Sequence, residues 1–167
     1  VPDFATLANE VDTLVLAAPL DATLDLLHAL GKDPPRASLV LDVASVKATV
    51  ADAGRGLRAF IATHPIAGSE RSGPGAADAM LFVDRVWTYD TAASPDLAAR
   101  ARAFIASMGA RPMAIDSHEH DRIVALTSHL PQVVAVALGA RLGEHVDEPG
   151  VAALCGTGMA SMLRLGS

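Results

Sequence analysis

The chain has 167 residues, of which 51% are hydrophobic and only 4% aromatic, and its formal charge is −6 at neutral pH. The acidic balance excludes nucleic acid as an expected partner, because no basic stripe is available to neutralise phosphates. A single cysteine, Cys155, excludes an internal disulfide, and we expect it to be a small core residue in a protein of the reducing cytoplasm. No run approaches the roughly 18 apolar residues of a membrane span, so no membrane association is expected.

The first two thirds of the chain alternate predicted strands with predicted helices. Asp21 and Ser45 are predicted to cap two helices, the second ending at Gly54, and Ser94 is predicted to cap a third that ends at Gly109. This alternation predicts βαβ units around a parallel sheet, in the α/β fold class. Apolar runs predict the strands at residues 14–17, 39–43, 60–63, 86–89 and 112–115.

After Asp116 the pattern becomes helical throughout. The apolar residues from Ser117 to Leu142 have helical spacing, and Pro131 is predicted to kink or divide this helix because it lacks a backbone N–H. Gly139 would let another helix approach closely. We therefore predict two domains, residues 1–116 and the beginning of an all-α domain at 117–167. Because Val1 is not an initiator methionine, we expect the chain to be a piece of a longer protein.

Three candidate site residues follow predicted strands. Pro19, Ser45 and His64 each lie just past a strand end, and the carboxyl ends of parallel strands share the edge of an open sheet where ligands bind. Pro65 favours an extended conformation for His64, and the segment that follows is rich in small residues that can bend around a ligand. The neutral imidazole that prevails near pH 7 can accept a proton. His64 is therefore a candidate general base; the alternative is that its ring only ties a turn together.

A second group of polar residues could supply metal ligands. His118, His120, Asp121 and His129 carry the imidazole and carboxylate groups that zinc prefers. On a helix, however, His118 and His120 would point about 200° apart, since each residue advances about 100°. They could not chelate the same ion unless the helix starts later, so a metal hydrolase is a disfavoured alternative and no metal site is predicted.

The order and spacing of four motifs resemble the prephenate/arogenate dehydrogenase family. These motifs are D-V-A-S-V-K at 42–47, H-P-I-A-G-S-E-R-S-G at 64–73, H-D at 120–121 and S-H-L-P at 128–131. The resemblance as a whole extends over residues 11–164. The resemblance implies a Rossmann-like dinucleotide-binding domain, here without its first βα unit, followed by part of a helical dimerisation domain. It also implies a cytoplasmic homodimer that uses NAD or NADP to oxidise and decarboxylate prephenate or arogenate in tyrosine biosynthesis.

The same resemblance implies roles for individual residues. His64 would be the catalytic base, and Ser45 would hydrogen-bond either His64 or the cofactor. Pro19 and Lys47 would contact the cofactor, although Lys47 is more simply interpreted as a surface lysine in the first turn of a helix. His120 and Asp121 would form a structural hydrogen-bond network. The substrate-binding residues would be Ser69, Glu70, His129 and Arg164, the last gripping a carboxylate with its guanidinium group.

Two other hypotheses stay open. The chain could be a non-catalytic dimerisation or regulatory module of the same fold, or part of a related two-domain NAD(P)-dependent reductase. The H-P-I-A-G-S-E segment argues against the reductase. The Gly-x-Gly-x-x-Gly turn that anchors a dinucleotide pyrophosphate does not occur at the start of this chain, which predicts that these 167 residues are inactive by themselves.

Overall fold

A computed structural model of the chain describes residues 3–68 and 73–164. The chain divides into two compact units, residues 1–121 and 122–167, slightly beyond the predicted boundary at residue 116. The first unit alternates helices and strands. Its elements are α1 (Phe4–Glu10), β1 (Thr13–Leu16), α2 (Leu20–Lys32), β2 (Leu39–Asp42), α3 (Ala48–Ala53), β3 (Phe60–Ile61), β4 (Thr63–Pro65), β5 (Val86–Asp90), α4 (Pro95–Ser107) and β6 (Arg111–Ile115), with a 3-10 turn at Pro74–Ala76.

The strands do not form the wholly parallel sheet that the sequence predicted. β1, β2 and β3 are parallel neighbours in that order. The strand predicted at 60–63 is instead two short strands, because the chain changes partner after Ile61 and β4 pairs with β5 in the antiparallel direction. β6 then pairs parallel to β5. The described part of the connection between β4 and β5 contains a 3-10 turn and no crossover helix of the kind that usually joins parallel strands.

Helices cover both faces of the parallel strands, which confirms the predicted α/β class. All four residues of β2 are buried. Val40 belongs to a cluster with Leu27 of α2 and Val50 of α3. Leu41 belongs to a separate cluster with Ile105 of α4. The two sides of β2 therefore lie in separate apolar layers, as in doubly wound sheets.

Two of the three predicted helix caps are wrong. Pro19, not Asp21, occupies the cap position of α2, and Asp21 lies in the first turn. Lys47, not Ser45, occupies the cap position of α3, and the carboxylate that receives the first N–H groups of that helix comes from Asp121. The cap at Ser94 is confirmed, since its hydroxyl accepts a hydrogen bond from the N–H of Leu97.

The remaining elements are helical. Pro131 lies in the first turn of α6 (Leu130–Gly143), directly after a π-helical turn at Ala125–His129, so the hydrogen-bond pattern changes just before the proline while the chain stays helical through the junction. Leu163 approaches Gly139, where an added Cβ would lie 3.4 Å from the leucine Cδ2. Cys155 is exposed, so the prediction that it fills the core is wrong. The elements are α5 (Ser117–Val124), which reaches into the second unit, α6 (Leu130–Gly143), α7 (Val151–Leu154) and α8 (Thr157–Arg164).

The helical run from Ser117 to Gly143 is strongly apolar and little buried. Its 27 residues meet the length and composition of a membrane-spanning helix, contrary to the expectation from the sequence. These two criteria alone are weak evidence for a membrane, because the core helix of a soluble protein can meet them too. On α6, Val133 and Val136 are more than half exposed.

Candidate active site

His64 is held in the middle of β4 with its side chain half buried. Its Nδ1 atom lies 2.9 Å from Nε2 of His120, which is 56 residues further along the chain on α5. The two rings meet edge to face, with centroids 5.1 Å apart and an interplanar angle of 68°. His120 is only 1% exposed. The candidate base is thus bound through one ring nitrogen to a buried imidazole.

The next residue, Asp121, continues this chain of hydrogen bonds. Its Oδ1 atom lies 2.9 Å from Nδ1 of His120 and accepts the N–H of Lys47 at 2.7 Å, while Oδ2 accepts the N–H of Ala48 at 2.9 Å. Partial burial acts to raise the pKa of Asp121, but the hydrogen bonds from Ala48, His120 and Lys47 outweigh it and lower that pKa overall. Asp121 is therefore an ionised acceptor at neutral pH. The predicted hydrogen-bond network of His120 and Asp121 is confirmed, and it includes His64.

A buried ion pair anchors Thr63, the residue that precedes His64. Lys47, which is 2% exposed, pairs with the fully buried carboxylate of Asp42 and donates a second hydrogen bond to the carbonyl of Thr63 at 2.6 Å. The Asp42 carboxylate also accepts the N–H groups of Thr63 and Ala44, each at 2.9 Å. Burial raises the pKa of Asp42 and lowers that of Lys47, and the attraction between them opposes both shifts. The interpretation of Lys47 as a surface residue is wrong.

The backbone around His64 is fixed by side chains as well as by strand pairing. Thr63 donates its hydroxyl to the carbonyl of Asp42 and accepts the indole N–H of Trp87 at 3.0 Å. The hydroxyl of Thr88 donates to the carbonyl of His64 at 3.2 Å. The side chain of Thr63 is therefore anchored to β2 and β5, and the carbonyl of His64 is anchored to β5.

The other predicted residues of the first unit follow the ends of parallel strands. Leu16 is level with Asp42, and Leu41 is level with Ile61, so the chain leaves β1, β2 and β3 at the same edge. Pro19 lies exposed beyond β1, and Ser45 lies exposed in the bend between β2 and α3.

None of the predicted substrate residues belongs to the described part of the first unit. His129 is half buried at the last position of the π-helical turn, and Arg164 is exposed at the end of α8; both belong to the second unit. Ser69 and Glu70 lie outside the described residues.

Sequence reasoning missed Asp42 and Thr63. The available signal was the position of Asp42 directly after the apolar run Leu39–Val40–Leu41. A carboxylate buried there needs a cation or hydrogen-bond donors nearby. No group of three or more His, Cys, Asp and Glu side chains suited to a metal ion occurs among residues 3–68 and 73–164. A cavity of about 550 Å³ beside α3, lined in part by Asp52, Asp90 and His118, includes none of the predicted site residues.

Both units match known domains of one class of dehydrogenase. Residues 1–113 match the prephenate dehydrogenase nucleotide-binding domain, and residues 116–167 match the prephenate dehydrogenase dimerisation domain. The chain therefore belongs to the prephenate dehydrogenase family.

Individual relatives agree with this assignment over most of the chain. The prephenate dehydrogenase of Lactococcus lactis subsp. cremoris is 30% identical over 165 residues, which are 95% of this chain and 45% of that protein. The crystal structure of Synechocystis arogenate dehydrogenase is 27% identical with a TM-score of 0.80, covering 99% of this chain and 61% of that one. The crystal structure of the Aquifex aeolicus prephenate dehydrogenase in complex with hydroxyphenyl propionate and NAD⁺ is 25% identical with a TM-score of 0.80. The match covers 92% of this chain and 56% of that one. The chain thus spans about half the length of these relatives.

Proposed function

We propose that this chain is part of an enzyme that oxidises and decarboxylates prephenate or arogenate with NAD⁺ or NADP⁺ in tyrosine biosynthesis. The observation that carries the proposal is the placement of His64 on an anchored strand, with its ring oriented by His120, in a chain of the prephenate dehydrogenase family. The Synechocystis relative is named for arogenate, and the Aquifex aeolicus structure contains NAD⁺ and a hydroxyphenyl compound. The proposal therefore covers either substrate, prephenate or arogenate, and either cofactor, NAD⁺ or NADP⁺.

In this proposal His64 is the general base. The substrate carries a ring hydroxyl, and its oxidation removes one proton from oxygen and one hydride from carbon. His64 accepts the proton, which contributes roughly 10²- to 10⁴-fold to the rate. A bound nicotinamide would supply the acceptor for the hydride. The resulting ring ketone would take up the electron pair of the carbon–carbon bond to the carboxylate as CO₂ leaves. The aromatic phenolate so formed would then be protonated to a phenol.

The cofactor would lie at the shared edge of β1, β2 and β3. The residues there fit a nucleotide, because Pro19 and Ser45 are exposed just past the ends of two neighbouring parallel strands, where ligands bind in sheets of this type. Ser45 would donate or accept a hydrogen bond near the nicotinamide. Lys47 is assigned to the fold instead, because its ammonium group is buried against Asp42 and Thr63.

The substrate would be held by residues beyond the described site. We assign Ser69, Glu70, His129 and Arg164 to substrate contacts, with Arg164 pairing with a carboxylate of this dicarboxylic substrate. We further propose a cytoplasmic homodimer assembled through the second unit. The exposed valines of α6 and the match to a dimerisation domain support this assembly.

The experiment measures NADH or NADPH formation by the full-length protein with prephenate and with arogenate. We expect turnover with at least one substrate, and His64→Asn should lower kcat by at least about 10²-fold with little change in cofactor affinity. Full-length protein with no substrate-dependent turnover would favour the non-catalytic module. A variant with near-normal kcat would show that His64 only supports the turn.

A further inference from the structure

The Asp121 carboxylate determines which nitrogen of His120 carries a proton. An ionised carboxylate can only accept hydrogen bonds. Oδ1 of Asp121 lies 2.9 Å from Nδ1 of His120, so Nδ1 must be the protonated nitrogen there. Asp121 cannot turn away, because the N–H groups of Lys47 and Ala48 hold its two oxygens. These contacts fix the orientation of the carboxylate and, with it, the tautomer of His120.

The tautomer of His120 in turn determines that of His64. A neutral imidazole carries one N–H, so Nε2 of His120 is an acceptor when Nδ1 is protonated. Nε2 of His120 lies 2.9 Å from Nδ1 of His64, which must therefore donate. Neutral His64 then has its lone pair on Nε2. Because His120 is 1% exposed, water has little access to replace either ring contact.

We infer that His120 and Asp121 are positioning residues that fix the Nδ1-protonated tautomer of His64, so that Nε2 of His64 is the atom that accepts the substrate proton. This inference rests on the proposed role of His64 as the base. When Nε2 takes the proton, the Nδ1–H bond to His120 persists, and the resulting imidazolium needs no reorientation. The negative charge of Asp121 also favours the positive charge on His64, through the polarised ring between them.

The test compares three variants of the full-length enzyme at His120 and Asp121 with one control variant. His120→Leu removes the acceptor for His64 Nδ1 and should lower kcat at least about 10-fold while KM changes less than about two-fold, since only proton abstraction is affected. His120→Gln can present an amide oxygen to His64 and should recover part of that loss. Adding Asp121→Ala to His120→Leu should cause little further loss of kcat, because the two residues act in series on the same ring. His118→Leu, an exposed histidine on the same helix, is the matched control and should leave kcat unchanged.

A spectroscopic measurement makes the test independent of turnover. ¹⁵N-histidine NMR of the wild-type enzyme at a pH where His64 is neutral, assigned by comparison with His64→Asn, should show His64 protonated at Nδ1. Protonation at Nε2 would overturn the inference. Unchanged kcat in His120→Leu would also overturn it, provided that His64→Asn is inactive. If His64→Asn is itself active, the proposed function fails, whereas the NMR result still decides the tautomer.

Discussion

Replacing Lys47 by methionine should strongly destabilise the first unit, because the change leaves the Asp42 carboxylate buried without its cation. Asp42 is fully buried and Lys47 is 2% exposed, so solvent cannot take over the pairing. Removing one partner of a buried pair costs about 3–5 kcal/mol. We expect the lower part of that range, because the N–H groups of Thr63 and Ala44 still support the charge. The carbonyl of Thr63 also loses its donor from Lys47.

Trp87 provides the assay for this prediction. It is the single tryptophan of the chain, is 3% exposed and donates to Thr63, which is itself bonded to Asp42. Its fluorescence therefore reports unfolding of the first unit. With a urea dependence of about 1–3 kcal/mol per molar, a loss of about 3 kcal/mol should lower the midpoint by about 1–3 M.

The matched control removes the charge together with its partner. Lys47→Met combined with Asp42→Asn leaves no unpaired ion and should recover at least about 1 kcal/mol relative to Lys47→Met alone. The reasoning would be refuted by a Lys47→Met variant within about 1 kcal/mol of wild type. Additive destabilisation in the double variant would also refute it.

Three further predictions concern acid stability, cofactor binding and assembly. Asp121→Ala should cost about 1 kcal/mol as a lost helix cap. Because folding lowers the pKa of Asp121, this contribution is complete above the unfolded pKa of about 3.9 and is lost as the pH falls through the lower, folded pKa. The difference in urea midpoint between variant and wild type should therefore shrink as the pH is lowered below the unfolded pKa. The 167-residue chain alone should bind NAD⁺ and NADP⁺ much more weakly than the full-length protein in calorimetry, and ordinary micromolar affinity of the chain would contradict this. The double variant Val133→Asp/Val136→Asp should make the full-length dimer dissociate, as measured by light scattering, whereas Arg141→Ala, at an exposed position on the same helix, should not. A wild-type protein that is monomeric at micromolar concentration would count against the proposed assembly.

The parts of the fold that depend on local patterns could be predicted from the sequence. Apolar periodicity located the strands and the long helices, and Ser94 followed the local rule for a helix cap. The direction of β5 could not be predicted, because the apolar pattern of a short buried strand is the same in either direction. The split between β3 and β4 depends on pairing partners, which the local sequence does not specify.

For the site, too, the local sequence predicts some residues, whereas others depend on contacts made in three dimensions. His64 could be selected from its place after an apolar run and before a proline, and His120 with Asp121 from their motif. The local rule failed at Ser45, because Asp121, more than seventy residues later, supplies the cap of α3. It failed at Lys47 because the burial of a lysine depends on where Asp42 lies in three dimensions. That His120 contacts His64 is equally a consequence of the fold, since the two are 56 residues apart.

The passage from β3 to β4 limits how this stretch of sequence can change in length. Side chains alternate between the two faces of a strand, so one residue inserted or deleted between Ile61 and His64 would move the imidazole to the opposite face. The same change would separate the Thr63 N–H from Asp42 and the Thr63 carbonyl from Lys47. We therefore expect substitutions at Ala62 among functional relatives to be limited to side chains that fit its buried position, and insertions and deletions to be absent from 61–64. Chain length here is a functional constraint in its own right, separate from residue identity.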